Sequence, residues 1–493
     1  MNINPLLMID FYKATHSMMY PKGITKLVSY FTPRTCRIDD DALVNFGLQG
    51  YIKNYIEKPF ADFFAASEEE VVKEYEQVLN ATLGQGMYDA EKVRALHQLG
   101  YVPLKIMEVP EGLRVPLHCP MISIENTHPD FAWLVNTIES AMSAYLWHPM
   151  VCAEIGWKYR NIAQKWYDKT VEVGKYPVYR ALGDFSFRGQ ESPEAAITSS
   201  AGWLLSNVNT ATVPAIMYMC ENYNADLLNE QVGFGAVSTE HSVMCSNFAV
   251  DGDERTMLER LLTEIYPKGY FTCVCDSYDY WNVVDNIIPS LKDTIMNREG
   301  TFAVRGDSGN PIDITCETVQ RLWNSFGGTV NKKGYKMLDS HVKVVYGDSI
   351  TVQRCEAIYN RLEKMGFAAN NVSLGVGAFS MQCIEEDNML KPFTRDTFGI
   401  AVKSTYCEVD GKAIPIFKNP KTDSGIKKSQ KGLCIVYRNQ QGDLCYEDGY
   451  TKDSIAEVAS KNIMETVYEN GIIGKEYSLS EIRNNLWNGR FFA

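Results

Sequence analysis

The chain has 493 residues, 45% hydrophobic and 22% charged, with 48 Lys and Arg against 61 Asp and Glu for a net charge of −13. That mix excludes a disordered chain, a collagen-like chain and a disulfide miniprotein, and the length calls for two or three domains. The acidic balance argues against a broad nucleic-acid surface while leaving room for a local basic site.

The start, Met1 to Asp10, lacks the basic and apolar regions of a secretory leader. No apolar run is long enough to span a membrane. The 13 cysteines include no Cys-x-x-Cys pair and are irregularly spaced, so they read as thiols of a cytoplasmic protein. Lys26 to Phe31 and Val102 to Val109 read as strands. Between them Ser67-Glu-Glu-Glu70 caps a surface helix carrying Val71, Val72, Tyr75 and Val78.

From about residue 180 a pattern recurs in which a β-forming run ends in a Gly, an acid or a base, and a helical segment follows. The run ends are Asp184, His241, Asp276, Asp307, Asp348 and Gly377, with gaps of 57, 35, 31, 41 and 29 residues. The shorter gaps each suit one βα unit, and the first has room for an extra helix or insertion. Val319, Leu322, Trp323 and Phe326 share one helical face, as do Cys355, Ile358, Tyr359 and Leu362. Six such units favour a β/α barrel, whose active site lies at the C-terminal strand ends.

Beyond Gly399 the pattern changes. Gly399 to Val409, an Asp410-Gly411 turn and Ala413 to Phe417 read as a hairpin. A loop with Lys418, Lys421, Gly425, Lys427, Lys428, Lys431 and Gly432 follows, then a Leu433 to Tyr437 strand and a final helix. The expected fold is α/β: an irregular β/α barrel over 151–390, beside an α/β sandwich domain in which the 391–493 segment packs with the 1–150 segment.

The strand ends carry the chemistry. Gly347-Asp348-Ser349 and Gly375-Val376-Gly377 can cradle a phosphate with backbone amides, or Asp348 or Ser349 can simply cap a helix. Arg305 and Asp307 share one strand face, where they can bind phosphate and ribose or metal, or pair with each other. Asp276 and Asp279 add carboxylates, or Asp276 simply caps a helix. His241 follows Glu240 at another run end. Phe185 or Phe187 can stack on a flat ring or fill the core. No Walker A loop, Gly-x-Ser-x-Gly elbow or His-Glu-x-x-His is present. No convincing acid pair or Schiff-base Lys supports a glycosidase or aldolase. These features suggest transfer between a phosphorylated sugar and a heterocycle.

Several motifs occur in order along nearly the whole chain: Asp10-Phe-Tyr12-Lys-Ala-Thr-His16, Asp184-Phe185-x-x-Arg188-Gly189, Glu240-His241-Ser242, Asp276-Ser-Tyr-Asp279, Arg305-x-Asp307-Ser-Gly-Asn-Pro311, Gly347-Asp348 and Thr394-Arg395-Asp396. Together they resemble the nicotinamide phosphoribosyltransferase family of type II phosphoribosyltransferases. The resemblance implies synthesis of nicotinamide mononucleotide from nicotinamide and phosphoribosyl pyrophosphate with Mg²⁺, in a homodimer with shared active sites. It implies that Phe185 and Tyr12 of the partner chain sandwich the base. Arg188 and Asp276 would line the base and ribose site, and Arg305 and Asp307 would hold the ribose. Gly347, Asp348 and Gly377 would take the 5′-phosphate, and Arg34, Arg395, Lys403 and Lys427 would meet pyrophosphate or nucleotide phosphates. His241 matches a histidine that ATP phosphorylates to assist synthesis.

One position departs. Where the family has an amide-reading Asp in Gly-Thr-Asp-Thr, this chain has Asn209-Thr210-Ala211-Thr212, with Ala211 in the base-binding position. With a one-residue insertion Asn207 or Asn209 reaches the site instead. Nicotinate or another heterocycle therefore stands as an alternative base, and a catalytically silent nucleotide-binding homologue as an alternative of another class. Ala401, where the family usually has Ser, is a second and smaller change.

Overall fold

Short β-branched runs such as Val342-Lys-Val-Val-Tyr346 and Val372-Ser-Leu-Gly-Val376 are nearly all apolar, the pattern of strands covered on both faces. The computed structural model describes residues 4–386, 389–422 and 427–492. Met1 to Ile3 and Gly425 of the lysine-rich loop lie outside the described residues. The chain divides into two units; one comprises 1–151, 219–225 and 393–488, the other 152–218, 226–392 and 489–493.

The second unit is a parallel barrel. Its strands are β1 (Leu182–Asp184), β2 (Asn209–Thr210), β3 (Phe271–Val274), β4 (Phe302–Gly306), β5 (Val342–Tyr346) and β6 (Val372–Val376), paired in the order β2-β1-β6-β5-β4-β3. Both edges meet one intervening segment: Phe234 bridges to Asn209 of β2, and Ser238 to Thr272 of β3. The sheet thereby curls into an irregular barrel. Helices Pro311–Phe326 and Val352–Lys364 cover it, burying Val319, Leu322 and Phe326 from one and Cys355, Ile358, Tyr359 and Leu362 from the other. Trp323 is only half-buried and packs edge-on against Phe367.

Two expectations change here. The run ending at His241 is not a regular strand. Gly233 and Gly235 weaken its ladder, only Ser238 pairs with β3, and His241 instead opens the helix His241–Asp251. The sixth strand is β2, inside the long first gap between helices Pro193–Trp203 and Val213–Tyr223.

The first unit holds an antiparallel sheet of seven strands. In order these are Lys412–Pro415, Ala401–Val409, Ile24–Thr32, Ile122–Asn126, Leu104–Glu108, Glu465–Glu469 and Ile472–Ile473. Three N-terminal strands form its centre and C-terminal strands flank them on both sides, with Ile24–Thr32 pairing Ala401–Val409 and Leu104–Glu108 pairing Glu465–Glu469. The hairpin turn is left-handed at both Asp410 (φ 50°) and Gly411 (φ 72°), the conformation a two-residue antiparallel turn requires. Ser67 caps the helix Glu68–Thr82 in a reciprocal capping box with Glu70. Val71, Val72, Tyr75 and Leu79 face the core, while Val78 is exposed because it falls one position off that stripe.

Candidate active site

Three glycines form a floor at the C-terminal end of the barrel. Gly183 of β1 is in register with Gly375 of β6 on one side and Asn209 of β2 on the other. A Cβ on Gly375 would lie 3.1 Å from the Cα of Gly347, which follows β5. The bare backbone makes room for an aromatic ring. A Cβ on Gly183 would sit 2.9 Å from Cε1 of Phe185, and one on Gly375 would overlap the same ring. The Phe185 backbone amide donates to the Val376 carbonyl at 2.8 Å, fixing the ring over the strands. Phe185 is half-buried, and the Arg305 guanidinium lies 5.6 Å from its centroid. Phe187, the other stacking candidate, is exposed.

Beyond Gly347, Arg305 and Asp307 form a bidentate pair, so the internal salt bridge considered from sequence is present. Asp276 joins them by accepting from the Asp307 backbone N–H at 3.0 Å through Oδ2. Its Oδ1 is buried without a hydrogen bond among the described residues. His241 Nε2 stands 3.8 Å from that oxygen, and its Nδ1 is 3.0 Å from Ser277 Oγ. A buried carboxylate oxygen without a donor is costly, so this atom is poised for a ligand hydroxyl or cation. Asp276 is not a helix cap; that role falls to Asp279, which accepts from Asn282 N–H. Among the described residues no cluster of three or more His, Cys, Asp and Glu is arranged to hold a metal.

The loop after β5 is not itself a helix N-terminus. Ser349 is left-handed (φ 56°), and the helix starts only at Val352, capped by Thr351 rather than by Asp348 or Ser349. Asp348 stays exposed and accepts from Ser349 Oγ at 2.8 Å. A Cβ on Gly377 would stand 3.5 Å from Asp348 Oδ1, so the two loop ends adjoin. Gly377 is the N-cap of the short helix Ala378–Gln382. Arg188 is exposed on the turn Phe187–Gly189, which Gly189 lets close against Ala378. Burial, with Asp348, Asp307 and Asp276 adding negative potential, pushes the Tyr346 phenol up to about 12.

Asp184 is a supporting group, although it ends a strand. Fully buried, its carboxylate accepts from Ser186 N–H and Oγ, and from Thr210 Oγ1 at 2.8 Å. Ala211 donates its backbone N–H to the Asp184 carbonyl, and its side chain is exposed. Asn207 is fully buried, and its Nδ2 donates to the Gly156 carbonyl at 3.2 Å. Asn209 remains beside the floor, its Nδ2 being 2.8 Å from the position of a Gly183 Cβ.

The remaining sequence-derived residues belong to the first unit. Tyr12 is exposed at the start of helix Lys13–Met19. Burial raises its phenol, Asp10 and Glu139 raise it further, and Arg395 opposes them. Burial holds the Lys403 ammonium below its ordinary range; Glu139 opposes this, while Arg34, Lys418 and Arg395 reinforce it. Arg34, Arg395 and Lys403 thus form one cationic cluster, an arrangement that attracts phosphate. Arg34 Nε donates to the Gly399 carbonyl, and Arg395 pairs with Asp396 at 3.0 Å. Lys427 is exposed in its turn.

A parallel barrel with an aromatic platform, a buried carboxylate array and glycine-bearing strand ends defines a group-transfer enzyme for a flat base and a phosphorylated sugar. The sequence profile of the nicotinate phosphoribosyltransferase (NAPRTase) family matches residues 181–472, and that of the nicotinamide phosphoribosyltransferase N-terminal domain matches 4–106. A nicotinamide phosphoribosyltransferase of Acinetobacter baylyi is 38% identical over 98% of this chain and 97% of its own length. One from Xanthomonas campestris pv. campestris is 30% identical over 97% of each. Among solved structures, the nicotinate-nucleotide pyrophosphorylase of Pyrococcus furiosus superposes with a TM-score of 0.58 at 15% identity, over 99% of this chain and 96% of that one. Human nicotinic acid phosphoribosyltransferase superposes with a TM-score of 0.53 at 14% identity, over 98% and 94%. At those identities the two structures establish the fold alone. The chain belongs to the nicotinate phosphoribosyltransferase family and is a phosphoribosyltransferase, a pentosyl-transferring enzyme.

Proposed function

We infer that this chain is a nicotinamide phosphoribosyltransferase, forming nicotinamide mononucleotide and pyrophosphate from nicotinamide and phosphoribosyl pyrophosphate. The observation that carries the reading is the Phe185 platform with the Arg305–Asp307 pair at its edge, in a chain whose full-length relatives bear that name. The pyridine ring stacks on Phe185 with Arg188 at the entrance. Its nitrogen lone pair attacks C1 of the ribose as the C1–oxygen bond breaks, and the electron pair leaves on pyrophosphate. No protein base is needed. Asp276 and Asp307 stabilise positive charge on the sugar ring, and Arg305 orients Asp307. The 5′-phosphate rests against the Gly347, Asp348 and Gly377 loops. A Mg²⁺ ion held here would supply positive charge against the departing pyrophosphate. Asp276, with its unbonded oxygen, and exposed Asp348 fit an ion that takes one or two carboxylates and completes its shell with substrate oxygens and water.

The reading extends to a cytoplasmic homodimer in which the partner chain supplies Tyr12 and the cationic Arg34, Arg395, Lys403 and Lys427 to each site. In it ATP serves as a coupling co-substrate through His241. The exposed aromatic run Phe11-Tyr12 and the adjacent Met18 and Met19 support the dimer, and the largely buried thiols support a reducing compartment. Mixing Tyr12→Ala with Asp307→Ala subunits restores activity if sites are shared, because one site of each heterodimer is intact; heterodimers as inactive as both parents would refute sharing. A second reading, nicotinate as the base, rests on Ala211. A product assay with phosphoribosyl pyrophosphate, Mg²⁺ and either base decides. Nicotinamide mononucleotide as the main product is expected, and nicotinate mononucleotide in its place would overturn the assignment.

A further inference from the structure

We propose that Asn209 is the residue that reads the carboxamide of the base. The proposal rests on the nicotinamide reading above and assigns the polar contact that sets the choice of base.

Among the described residues Asn209 presents an uncommitted side-chain amide beside the platform. Asn209 Nδ2 is 2.8 Å, and Phe185 Cε1 2.9 Å, from the same point above Gly183, so at most about 5.7 Å separates the two atoms. Asn209 is half-buried at the start of β2. Its backbone carbonyl accepts from Trp203 Nε1 at 3.1 Å, while its side chain makes no hydrogen bond among the described residues. The neighbouring candidates are eliminated by their own contacts. Asn207 is buried and turned toward Gly156, Ala211 presents only a methyl group, and the Asp184 carboxylate is saturated by Ser186 and Thr210. On the other side of the ring the Arg305 guanidinium is committed to Asp307.

A pyridine stacked on Phe185 turns its edge, and the substituent on that edge, toward Asn209. An asparagine amide carries one acceptor and a two-hydrogen donor, the same pair a carboxamide offers in reverse order. The two form a pair of complementary hydrogen bonds. A ring carboxylate has only acceptors, so it satisfies Nδ2 but sets an oxygen against Oδ1 and leaves that acceptor unpaired. Asn209 thus supplies by complementarity a preference for the amide that Ala211 cannot supply by charge.

The test is the pair of kcat/KM values for nicotinamide and nicotinate, measured for the unaltered enzyme, Asn209→Ala and the near-isosteric Asn209→Asp. Asn209→Ala is expected to lower the nicotinamide value about thirtyfold, the size of two lost net hydrogen bonds, and to change the nicotinate value less. Asn209→Asp keeps the acceptor for the amide NH₂ but sets an oxygen against the amide carbonyl, so it is expected to lower the nicotinamide value several-fold, while its negative charge lowers the nicotinate value by roughly tenfold more and raises the ratio. A nicotinamide-to-nicotinate ratio that stays within twofold in both variants overturns the role of Asn209 while leaving the proposed function intact. An unaltered enzyme that makes no nicotinamide mononucleotide overturns the proposed function first.

Discussion

Arg305 and Asp307 meet in a two-bond fork, Nε to Oδ1 at 2.8 Å and Nη2 to Oδ2 at 2.7 Å, in space that exists only because residue 347 is glycine. A Cβ at Gly347 would overlap the Asp307 carboxylate and stand 2.7 Å from Arg305 Nη2. The strand-end glycine therefore shapes the protein's own charge array as well as an approach for phosphate.

Gly347→Ala follows directly. The displaced atoms are side-chain ends, so the fold survives, with a cost of about 1–3 kcal/mol for the inserted methyl. The array shifts on the order of 1 Å, and kcat/KM for phosphoribosyl pyrophosphate is expected to fall about a hundredfold. Circular dichroism and steady-state kinetics check both halves. A folded variant with full activity would mean that the fork has no part in binding or catalysis.

The Phe185 platform gives a double-mutant test. Phe185→Ala removes base stacking, worth about 1–3 kcal/mol by analogy with bases on aromatic side chains, chiefly through KM for the base. Gly375→Ala pushes the same ring off the floor and is expected to give a similar loss. Because both act through one ring, the double variant should lose far less than the sum. Strictly additive losses would show that Gly375 acts through something other than Phe185.

Much of this was legible in the sequence because barrel strands end where apolar runs stop at Gly or Asp. The helix faces of Leu322 and Ile358 followed from their spacing. Two features were not legible, for physical reasons. β2 is two residues long and carries no periodicity, so Asn209 and Thr210 could be placed only by their pairing with Gly183 and Asp184. The roles of Gly183, Gly347 and Gly375 depend on which side chains lie over them, a tertiary fact. A glycine in mid-strand was nonetheless a signal of close approach, and Gly375 within Val372 to Val376 carried it. Asp184 showed the converse: an acid at a strand end, consumed by Ser186 and Thr210.

His241 sits on the exposed side of Asp276, with one ring nitrogen on Ser277. The attacking pyridine needs no base, so His241→Ala is expected to abolish ATP stimulation and leave ATP-independent transfer measurable. Turnover with and without ATP checks this, and a folded variant devoid of both activities would move His241 into the bond-making step.

Lys343 lies on β5, two residues before Val345 on the same face, and makes no ion pair among the described residues. Burial pulls its ammonium down to about 8 from an ordinary 10.5. Between these values the unfolded chain holds a proton that the native chain has lost, so this group makes stability rise with pH across that window. Below pH 8 both states are protonated, and the native state carries the cost of a desolvated, half-buried charge. Lys343→Met is therefore expected to raise the thermal midpoint at pH 7, with the gain shrinking toward pH 10.5. A gain independent of pH would assign the effect to packing instead of charge.

Ala211 lies two residues along the β2 direction from Asn209, with its N–H held by the Asp184 carbonyl and its side chain exposed. Ala211→Asp therefore adds a carboxylate without disturbing a packed neighbour. If position 211 faces the base, the new charge repels a ring carboxylate whatever stands at 209, so nicotinate turnover falls in the wild-type and Asn209→Ala backgrounds alike. Its benefit to nicotinamide depends on the background. With Asn209 present the amide NH₂ already has an acceptor, and little is gained. With Asn209→Ala that NH₂ is free, and a hydrogen bond to a charged group contributes about 1.5–3 kcal/mol, roughly ten- to a hundredfold in kcat/KM. The four combinations, each assayed with both bases, separate the two residues. Equal rescue in both backgrounds would mean that Asn209 does not engage the amide. No change with either base in either background would mean that residue 211 lies away from the ring, leaving the choice of base to the groups around Phe185.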